Sequence, residues 1–249
     1  MPIRTSTVWR PSRCNEGGAD GAAVLINKVA TSLEAAVAGI KDGSAIMIGG
    51  FGTAGMPAEL IEALIAQGAS DLTIISNNAG NAETGLAALL KAKRIRKIVC
   101  SFPRQSDSWV FDGLYRAGEI ALELVPQGTL AERIRAAGAG IGAFFTPTGY
   151  GTQLAEGKET RIINGRPHVL EYALQADVAL IKAHRADRWG NLVYRKAARN
   201  FGPIMATAAR CTIAQVSAIV ELGALDPEII VTPGIFVHRV VMAGRAPAP

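Results

Sequence analysis

Ile46-Met47-Ile48-Gly49-Gly50-Phe51-Gly52-Thr53-Ala54-Gly55-Met56-Pro57 is an apolar run that ends in glycines and leads directly into a helical pattern. This order predicts a strand, a loop and a helix. Glycines tolerate positive φ and let backbone N–H groups approach a ligand with no Cβ in the way. The helix start adds unpaired N–H groups and the positive end of a dipole. The glycine loop, residues 49–55, is therefore predicted to bind an anionic group or a developing oxyanion.

Three glycines of this loop also satisfy the spacing G-x-G-x-x-G of a dinucleotide-binding turn. Such a turn needs an acidic residue about 20 positions later, at the far end of the second strand, to bind the ribose. Asp71 instead precedes the predicted strand 72–76, and Asn77 follows it. A nicotinamide cofactor is therefore disfavoured. It stays open as an alternative, as does a tight turn that binds no ligand.

Composition limits the class of protein. The chain has 249 residues, 49% of them hydrophobic, and a net charge of +5. A chain of this size buries about 70–75% of its unfolded surface, so one large domain is expected. No uncharged apolar run reaches about 18 residues, the length of a membrane-spanning helix. Basic residues are spread along the chain without interleaved aromatics, which argues against nucleic acid and favours a small anionic ligand.

The cysteines and the chain ends carry further expectations. Three cysteines lie far apart without a C-x-x-C pair: Cys14, Cys100 and Cys211. Neither disulfides nor a metal site is predicted, and a reducing cytoplasm fits this usage. Residues 1–25 lack the apolar segment of a secretory signal and are expected to be an unpacked extension. The domain is expected at residues 26–243, followed by a tail at 244–249.

Apolar runs alternate with helical patterns along the chain, which predicts an α/β fold with an open, mostly parallel sheet and flanking helices. The second half adds a β-hairpin region, since Asn164-Gly165 stands between the apolar runs of residues 161–170. A further strand at 178–183 is expected to pair with 192–194 across a turn. Apolar spacing predicts a helix over residues 28–40, and residues 138–152 are expected to form a long loop.

Three predicted strands end in polar or glycine-rich loops, at residues 49–55, 77–81 and 126–128. The carboxyl ends of parallel strands share one edge of the sheet, where α/β proteins bind ligands. Asn77 and Gln127 stand in two of these loops, and their amides can donate hydrogen bonds to a carboxylate or a carbonyl. For the asparagine, a plain loop with backbone hydrogen bonds is an equal alternative.

The helix that follows Gln127 has a recognisable start signal. Thr129 is followed three positions later by Glu132, which is the pattern of a capping box. The helix is therefore expected to begin after Thr129, with Gln127 in the loop before it.

A catalytic nucleophile is not visible in the sequence. The three histidines, His168, His184 and His238, lie far apart, and no G-x-S-x-G turn accompanies them. Carboxylates such as Glu59, Glu83, Glu123, Glu156 and Glu171 occur, but none has the surroundings expected of a nucleophile.

Five blocks occur together in this chain: Gly49–Pro57, Ser76–Gly80, Pro126–Arg133, Thr146–Gly151 and Arg195–Phe201. In this order they resemble the A (alpha) subunits of the 3-oxoacid CoA-transferases, and the resemblance runs from about residue 26 to residue 241. Residues 101–108 and 187–191 are also similar to the members of this family that act on 3-oxoadipate. The succinyl-CoA:acetoacetate enzymes are the near alternative.

The resemblance implies a ping-pong transfer of CoA from succinyl-CoA to a 3-oxo acid through a glutamyl-CoA thioester. The glutamate belongs to the B (beta) subunit in this family, so a second chain is implied, in a heterodimer or an A2B2 heterotetramer. Coenzyme A is then a substrate, and no cofactor is bound permanently. The glycine loop matches the family's CoA-binding segment, and Asn77 and Gln127 match residues that line the substrate site. A non-catalytic acyl-CoA-binding protein stays open as an alternative of another class.

Overall fold

The structure is a computed structural model that describes residues 25–104 and 107–244. Its strands are β1 Ala45–Ile48, β2 Leu72–Ile75, β3 Ile95–Cys100, β4 Ala121–Leu124, β5 Ala143–Thr146, β6 Thr160–Ile163, β7 Arg166–Tyr172, β8 Ala176–Asp187, β9 Leu192–Val193, β10 Ala209–Val220 and β11 Arg239–Met242. Its α-helices are α1 Leu33–Val37, α2 Ala58–Gln67, α3 Leu86–Lys91, α4 Trp109–Arg116, α5 Gln127–Gly138 and α6 Gly202–Ala208.

Within this described part of the chain, eight strands form the main sheet in the order β11-β10-β8-β1-β2-β3-β4, and β9 pairs with β8. Every pairing along the main order is parallel, whereas β9 runs antiparallel to β8. Helices α1 to α4 cover one face of the sheet, and α5 and α6 cover the other. The predicted α/β fold with an open, mostly parallel sheet is therefore confirmed.

Strand β1 lies at the centre of this sheet and is buried on both faces. Ile46 and Ile48 pack against the helices of one face and Met47 against those of the other, all with no exposed surface. Burial of each such side chain contributes about 1.5–3 kcal/mol to folding. Because both faces are covered, the strand is an uninterrupted apolar run rather than an alternating one.

The strand order reverses direction at β1. The chain builds β2, β3 and β4 outward on one side of β1, and then returns to place β8 on its other side. Met47 pairs with Ile75 of β2 and with Ala179 of β8. Open α/β sheets bind ligands outside the carboxyl ends of the strands at such a reversal. The glycine loop, which leaves the carboxyl end of β1, lies at this position.

A second, antiparallel sheet has the order β5-β7-β6. Its hairpin turns at Asn164 and Gly165, both with positive φ (52° and 74°), as a type I′ turn requires. The predicted hairpin is therefore confirmed, as is the expected pairing of the 178–183 strand with 192–194, seen as β8 with β9. The expected long loop at 138–152 is wrong in part, because β5 lies within it and pairs with β7. The pairing joins residues far apart in the chain, so the local sequence of residues 143–146 did not indicate a strand.

Charged side chains connect the small sheet to α5. Glu171 of β7, 5% exposed, accepts a hydrogen bond from Lys158 at 2.6 Å and lies 3.9 Å from Arg133 of α5. Arg133 in turn donates to Glu123 of β4 at 2.9 Å, and Lys97 of β3 donates to the same carboxylate at 2.6 Å. Together these five residues form the ion network.

A cavity of about 380 Å³ is lined by several members of the ion network. Burial raises the pKa of Glu123, but the hydrogen bonds and charges of Lys97 and Arg133 lower it by more, so its pKa lies below the ordinary value. Both basic side chains therefore stabilise the charged form of this carboxylate. The ion network holds α5, and with it Gln127, against β4 and the small sheet.

The helix expected over residues 28–40 is shorter than predicted. Val29 instead forms a parallel bridge with Val240, and the N–H of Ala30 donates to the carbonyl of Val240 at 2.7 Å. Helix α1 begins only after Ser32, whose hydroxyl accepts a hydrogen bond from the N–H of Ala35 at 3.1 Å. Backbone pairing with the edge strand β11 thus replaces the first turns of the predicted helix.

The predicted capping box at Thr129 is wrong. Helix α5 begins at Gln127, after Pro126, and the N–H of Leu130 donates to the carbonyl of Pro126 at 2.8 Å. Thr129 therefore lies inside the first turn, 3% exposed, and its hydroxyl has no hydrogen-bond partner among the described residues. Glu132 pairs with Arg135 at 2.7 Å instead.

The expectations about the chain ends concern residues that lie largely outside the described ranges. Residues 1–24 of the predicted extension and residues 245–249 of the predicted tail are not described. In the described ranges, no helix combines the length and the apolar character needed to cross a membrane.

The two helix starts make a testable contrast. We expect Thr129→Val to leave the free energy of unfolding unchanged or to raise it, because the buried hydroxyl has no partner to lose. Ser32→Ala should lower it by about 1 kcal/mol, because a true cap is removed. Urea unfolding of both variants measures this difference. A loss for Thr129→Val as large as for Ser32→Ala would mean that the threonine does cap α5.

Candidate functional site

The carboxyl ends of neighbouring strands are joined by hydrogen bonds into one continuous edge. The hydroxyl of Ser76, just after β2, donates to the carbonyl of Ile48 at the end of β1 over 3.0 Å. The N–H groups of Ser101 and Phe102, just after β3, donate to the carbonyl of Asn77 at 3.2 and 3.0 Å. Together these bonds hold the ends of β1, β2 and β3 in fixed relative positions.

The two amide side chains predicted to line the site meet at this edge. Nε2 of Gln127 donates to Oδ1 of Asn77 at 2.7 Å, and the hydroxyl of Ser101 donates to the same oxygen at 2.9 Å. Asn77 is only 2% exposed, whereas Gln127 is exposed at the start of α5. Gln127 thus connects the buried amide of Asn77 to the exposed surface at the start of α5. We define Asn77 and Gln127 as the amide pair.

The amide pair leaves donors available for a ligand. Both hydrogen bonds to the Asn77 side chain end on Oδ1, and no described residue accepts one from its Nδ2. The first-turn N–H groups of α5, at residues 127–129, likewise have no recorded acceptor in the described ranges. A 12-residue helix places the positive end of its dipole there. The edge therefore offers neutral and partly positive donors to a carboxylate or a carbonyl oxygen.

Asn78 has a local role. Its Oδ1 accepts a hydrogen bond from the N–H of Gly80 at 2.8 Å, and its backbone bridges to Phe102. Of the two adjacent asparagines, Asn78 therefore stabilises the turn, and Asn77 remains the candidate for the site.

The glycine loop folds into a tight turn. The N–H of Phe51 donates to the carbonyl of Ala54 at 3.0 Å, and the N–H of Ala54 donates back to Phe51 at 3.1 Å. Gly52 has a positive φ of 59°, and a Cβ placed there would meet no atom within 4 Å. In the described part of the chain, no acceptor is recorded for the N–H groups of residues 50, 52, 53 and 55. The loop therefore presents free backbone donors beside the end of β1.

Segment 195–201 fixes the far side of the glycine loop. Nδ2 of Asn200 donates to the carbonyl of Ala54 at 2.9 Å. A Cβ on Gly55 would lie 2.5 Å from the carbonyl oxygen of Ala198, closer than real Cβ contacts come. Gly55 also has a positive φ of 77°, so both space and conformation require glycine there.

The buried acidic side chains are committed to structural contacts. Within the described ranges they are Glu171, which belongs to the ion network, and Asp187. The carboxylate of Asp187 accepts three hydrogen bonds, from the N–H groups of Trp189 and Asn191 and from the Asn191 side chain, at 2.8–3.1 Å. Neither has the free, inward-facing carboxylate that a nucleophile needs.

The histidines do not form a catalytic group. Nδ1 of His238 accepts a hydrogen bond from the N–H of Thr212 at 3.1 Å, and burial, with the charges of Lys28 and Arg239, lowers its pKa. His168 lies in the hairpin, next to the carbonyl of Arg166. Among the described residues, no group of three or more His, Cys, Asp or Glu side chains is placed to hold a metal ion.

Asp71 is also badly placed for a dinucleotide. It precedes β2, at the edge of the sheet opposite the glycine loop, and pairs with Arg96 at 3.2 Å. The position at which a ribose-binding carboxylate is required carries Ser76 and Asn77 instead.

Sequence reasoning missed two side chains of this edge, Ser76 and Ser101. Both follow strands directly, and the rule that selected Asn77 and Gln127 would have found them as well. The contact of Asn200 with the glycine loop joins residues 146 positions apart and had no such signal. Asn77, Gln127 and Ser101 meet directly. Among the described residues, Ser76 bonds to Ile48 at the end of β1, and no recorded hydrogen bond joins the glycine loop itself to these three side chains.

Comparisons with known proteins identify the relatives of this chain. The family model for coenzyme A transferase matches residues 30–243. The A subunit of the 3-oxoadipate CoA-transferase of Pseudomonas putida is 73% identical over 90% of this chain and 97% of its own length. The A subunit of a succinyl-CoA:3-ketoacid coenzyme A transferase from Xanthomonas campestris is 56% identical over 84% of this chain and 86% of its own length.

A solved structure shares the fold. The glutaconate coenzyme A-transferase of Acidaminococcus fermentans superimposes with a TM-score of 0.74 at 22% identity, over 87% of this chain and 75% of that one. The family model covers most of the chain, and each of the two sequence relatives aligns with more than four-fifths of it. The chain therefore belongs to the coenzyme A transferase family.

Proposed function

We propose that this chain is the alpha subunit of a two-subunit enzyme that moves CoA from succinyl-CoA to 3-oxoadipate. The amide pair carries the proposal, because it offers uncharged donors at the strand ends while both buried acidic groups of the described chain are engaged elsewhere. The 73% identity to the A subunit of a 3-oxoadipate CoA-transferase supports the choice of acid. Acetoacetate is the second candidate, since a relative at 56% identity is named for 3-ketoacids.

The proposed reaction is ping-pong. A glutamate of the beta subunit reacts with the thioester carbonyl of succinyl-CoA, and the CoA thiolate leaves to give a mixed anhydride. The thiolate then attacks the glutamyl carbonyl, releasing succinate and leaving a glutamyl-CoA thioester. The carboxylate of the 3-oxo acid attacks that thioester and expels the CoA thiolate, which gives a second mixed anhydride. The thiolate then attacks the 3-oxoacyl carbonyl, so that 3-oxoacyl-CoA forms and the glutamate carboxylate is released. The carbonyl oxygen acquires negative charge at each step, so donors placed at that oxygen lower the barrier.

The neutral character of the amide pair suits this chemistry. A fixed cation would bind the ground-state carboxylate strongly, and binding that is equal in ground and transition states does not raise turnover. The contact between Gln127 and Asn77 orients the Asn77 side chain so that Nδ2 remains free of acceptors among the described residues. The glycine loop contributes backbone donors of the same neutral kind.

The role of an alpha subunit also determines the proposed domain bounds, assembly and location. Residues 26–243 are assigned to the alpha-subunit domain, and residues 1–25 and 244–249 lie outside it. The enzyme is assigned to the cytoplasm, as a heterodimer or an A2B2 heterotetramer with the beta subunit. Coenzyme A is bound as a substrate, and residues 49–55 are assigned to its binding.

The engagement of both buried carboxylates in the described chain predicts where the covalent intermediate forms. Incubation of the assembled enzyme with succinyl-CoA, without acceptor acid, should add CoA to the beta subunit while leaving this chain unmodified. Intact-mass spectrometry of the two chains measures this. The purified chain alone should show no turnover of succinyl-CoA with 3-oxoadipate. Turnover by the single chain, or an adduct on it, would contradict the two-subunit mechanism.

Gln127→Ala tests the amide pair. We expect the loss of its hydrogen bond to raise the activation free energy for attack of the acid on the glutamyl-CoA thioester by about 1–3 kcal/mol. The rate of this step should then fall by about 5- to 150-fold. Single-turnover measurement of this half-reaction isolates the step. Gln153→Ala, at an exposed position in the short helix Gln153–Ala155, is the matched control and should leave the rate unchanged. An equal rate for Gln127→Ala and the control would exclude Gln127 from the site.

A further inference from the structure

A cluster of exposed cations lies beside the glycine loop. We define Arg195, Lys196 and Arg199, which lie in and before the short 3-10 helix Lys196–Arg199, as the cationic cluster. All three are exposed, and none forms an ion pair with another described residue. Their charges are therefore not neutralised locally.

The other basic run of the sequence behaves differently. Lys91, Lys93, Arg96 and Lys97 each pair with a carboxylate at 2.6–3.2 Å, and Arg94 donates to the carbonyl of Gly68 at 2.8 Å. That run is accounted for by contacts within the fold. For the cationic cluster, no such ion pair is recorded among the described residues.

The backbone holds the cationic cluster in a fixed position. Asn200 bonds both the carbonyl of Ala54 in the glycine loop, at 2.9 Å, and that of Ala197 in the cluster segment, at 2.7 Å. Phe201 is 7% exposed and packs in the hydrophobic core, which anchors the end of the segment. Lys196 has a positive φ of 50°, a conformation that a lysine keeps only when its surroundings impose it. The three cations thus lie on an exposed segment that is bonded to the glycine loop.

We propose that the cationic cluster binds the phosphate groups of the coenzyme A substrate. The inference rests on the proposed function, which places the thioester at the strand-end edge. The pantetheine arm separates the thioester from the nucleotide, so the phosphates emerge at the rim of the site and not at its base. Guanidinium groups bind phosphate oxygens in pairs of charge-assisted hydrogen bonds. The neutral amides of the edge and the cations at its rim would thus bind opposite ends of one ligand.

The test uses the assembled enzyme and two acyl donors, succinyl-CoA and succinyl-pantetheine, the second of which lacks every phosphate. In the triple variant Arg195→Gln, Lys196→Gln and Arg199→Gln, we expect kcat/KM for succinyl-CoA to fall about tenfold or more. The value for succinyl-pantetheine should not change. The difference between the donors should shrink in the wild-type enzyme as salt is raised, because exposed charges are screened.

A matched control removes the same charge elsewhere. Lys41, Arg116 and Arg166 are exposed and have no ion pair recorded among the described residues. Their triple glutamine variant should retain the wild-type preference for succinyl-CoA, which excludes an effect of net charge alone.

Several outcomes would overturn the proposal. These are an unchanged kcat/KM for succinyl-CoA, an equal loss with both donors, or loss of assembly with the beta subunit in analytical ultracentrifugation. The last would identify the cationic cluster as a protein interface. If the wild-type assembly transfers no CoA at all, the proposed function fails. Calorimetric titration with free CoA then still tests the cationic cluster, which should bind CoA more weakly in the triple variant than in the control.

Discussion

Parallel pairing of β1 with β2 on one side and β8 on the other is the constraint on which the rest of the structure depends. A central strand with both edges paired and both faces covered must be apolar throughout, and Ile46, Met47 and Ile48 meet that requirement. Because its edges and faces are occupied, backbone groups of this part of the chain can contact a ligand only beyond the end of the strand. Because the strand order reverses at β1, the loop that leaves it lies at the position where open α/β sheets bind their ligands.

The site is built from hydrogen bonds that cross from one strand end to the next. Ser76 ties the end of β2 to β1, and Asn77 receives bonds from Ser101 and Gln127, which follow β3 and begin α5. Each of these polar side chains positions its neighbour, so the arrangement of donors at this edge depends on all four residues together. Donors held in this way need no reorganisation when charge develops on a bound carbonyl oxygen.

Charge is distributed unevenly around this edge. The strand-end edge contributes neutral amides and helix-start N–H groups. The ion network joins Arg133 of α5 to Glu123 of β4 and Glu171 of β7, and the cationic cluster lies on the segment beside the glycine loop. Opposite charges within the ion network satisfy one another, which gives them a structural role in holding α5. The unpaired charges of the cationic cluster are free to attract an anionic ligand. The fold thereby separates the charges that are paired within it from those that stay unpaired at its surface.

The sequence by itself predicted the fold class, the hairpin at Asn164-Gly165 and the placement of Asn77 and Gln127 directly after strands, where they remain the proposed site amides. Each of these rests on a local signal: an uninterrupted apolar run, a two-residue turn, or a polar residue directly after a strand. The tertiary structure alone decided where α1 and α5 begin, that β5 is a strand, and that Asn200 holds the glycine loop. These features depend on contacts between residues far apart in the chain, such as Val29 with Val240. Local periodicity and capping patterns carry no information about a contact that only folding brings near.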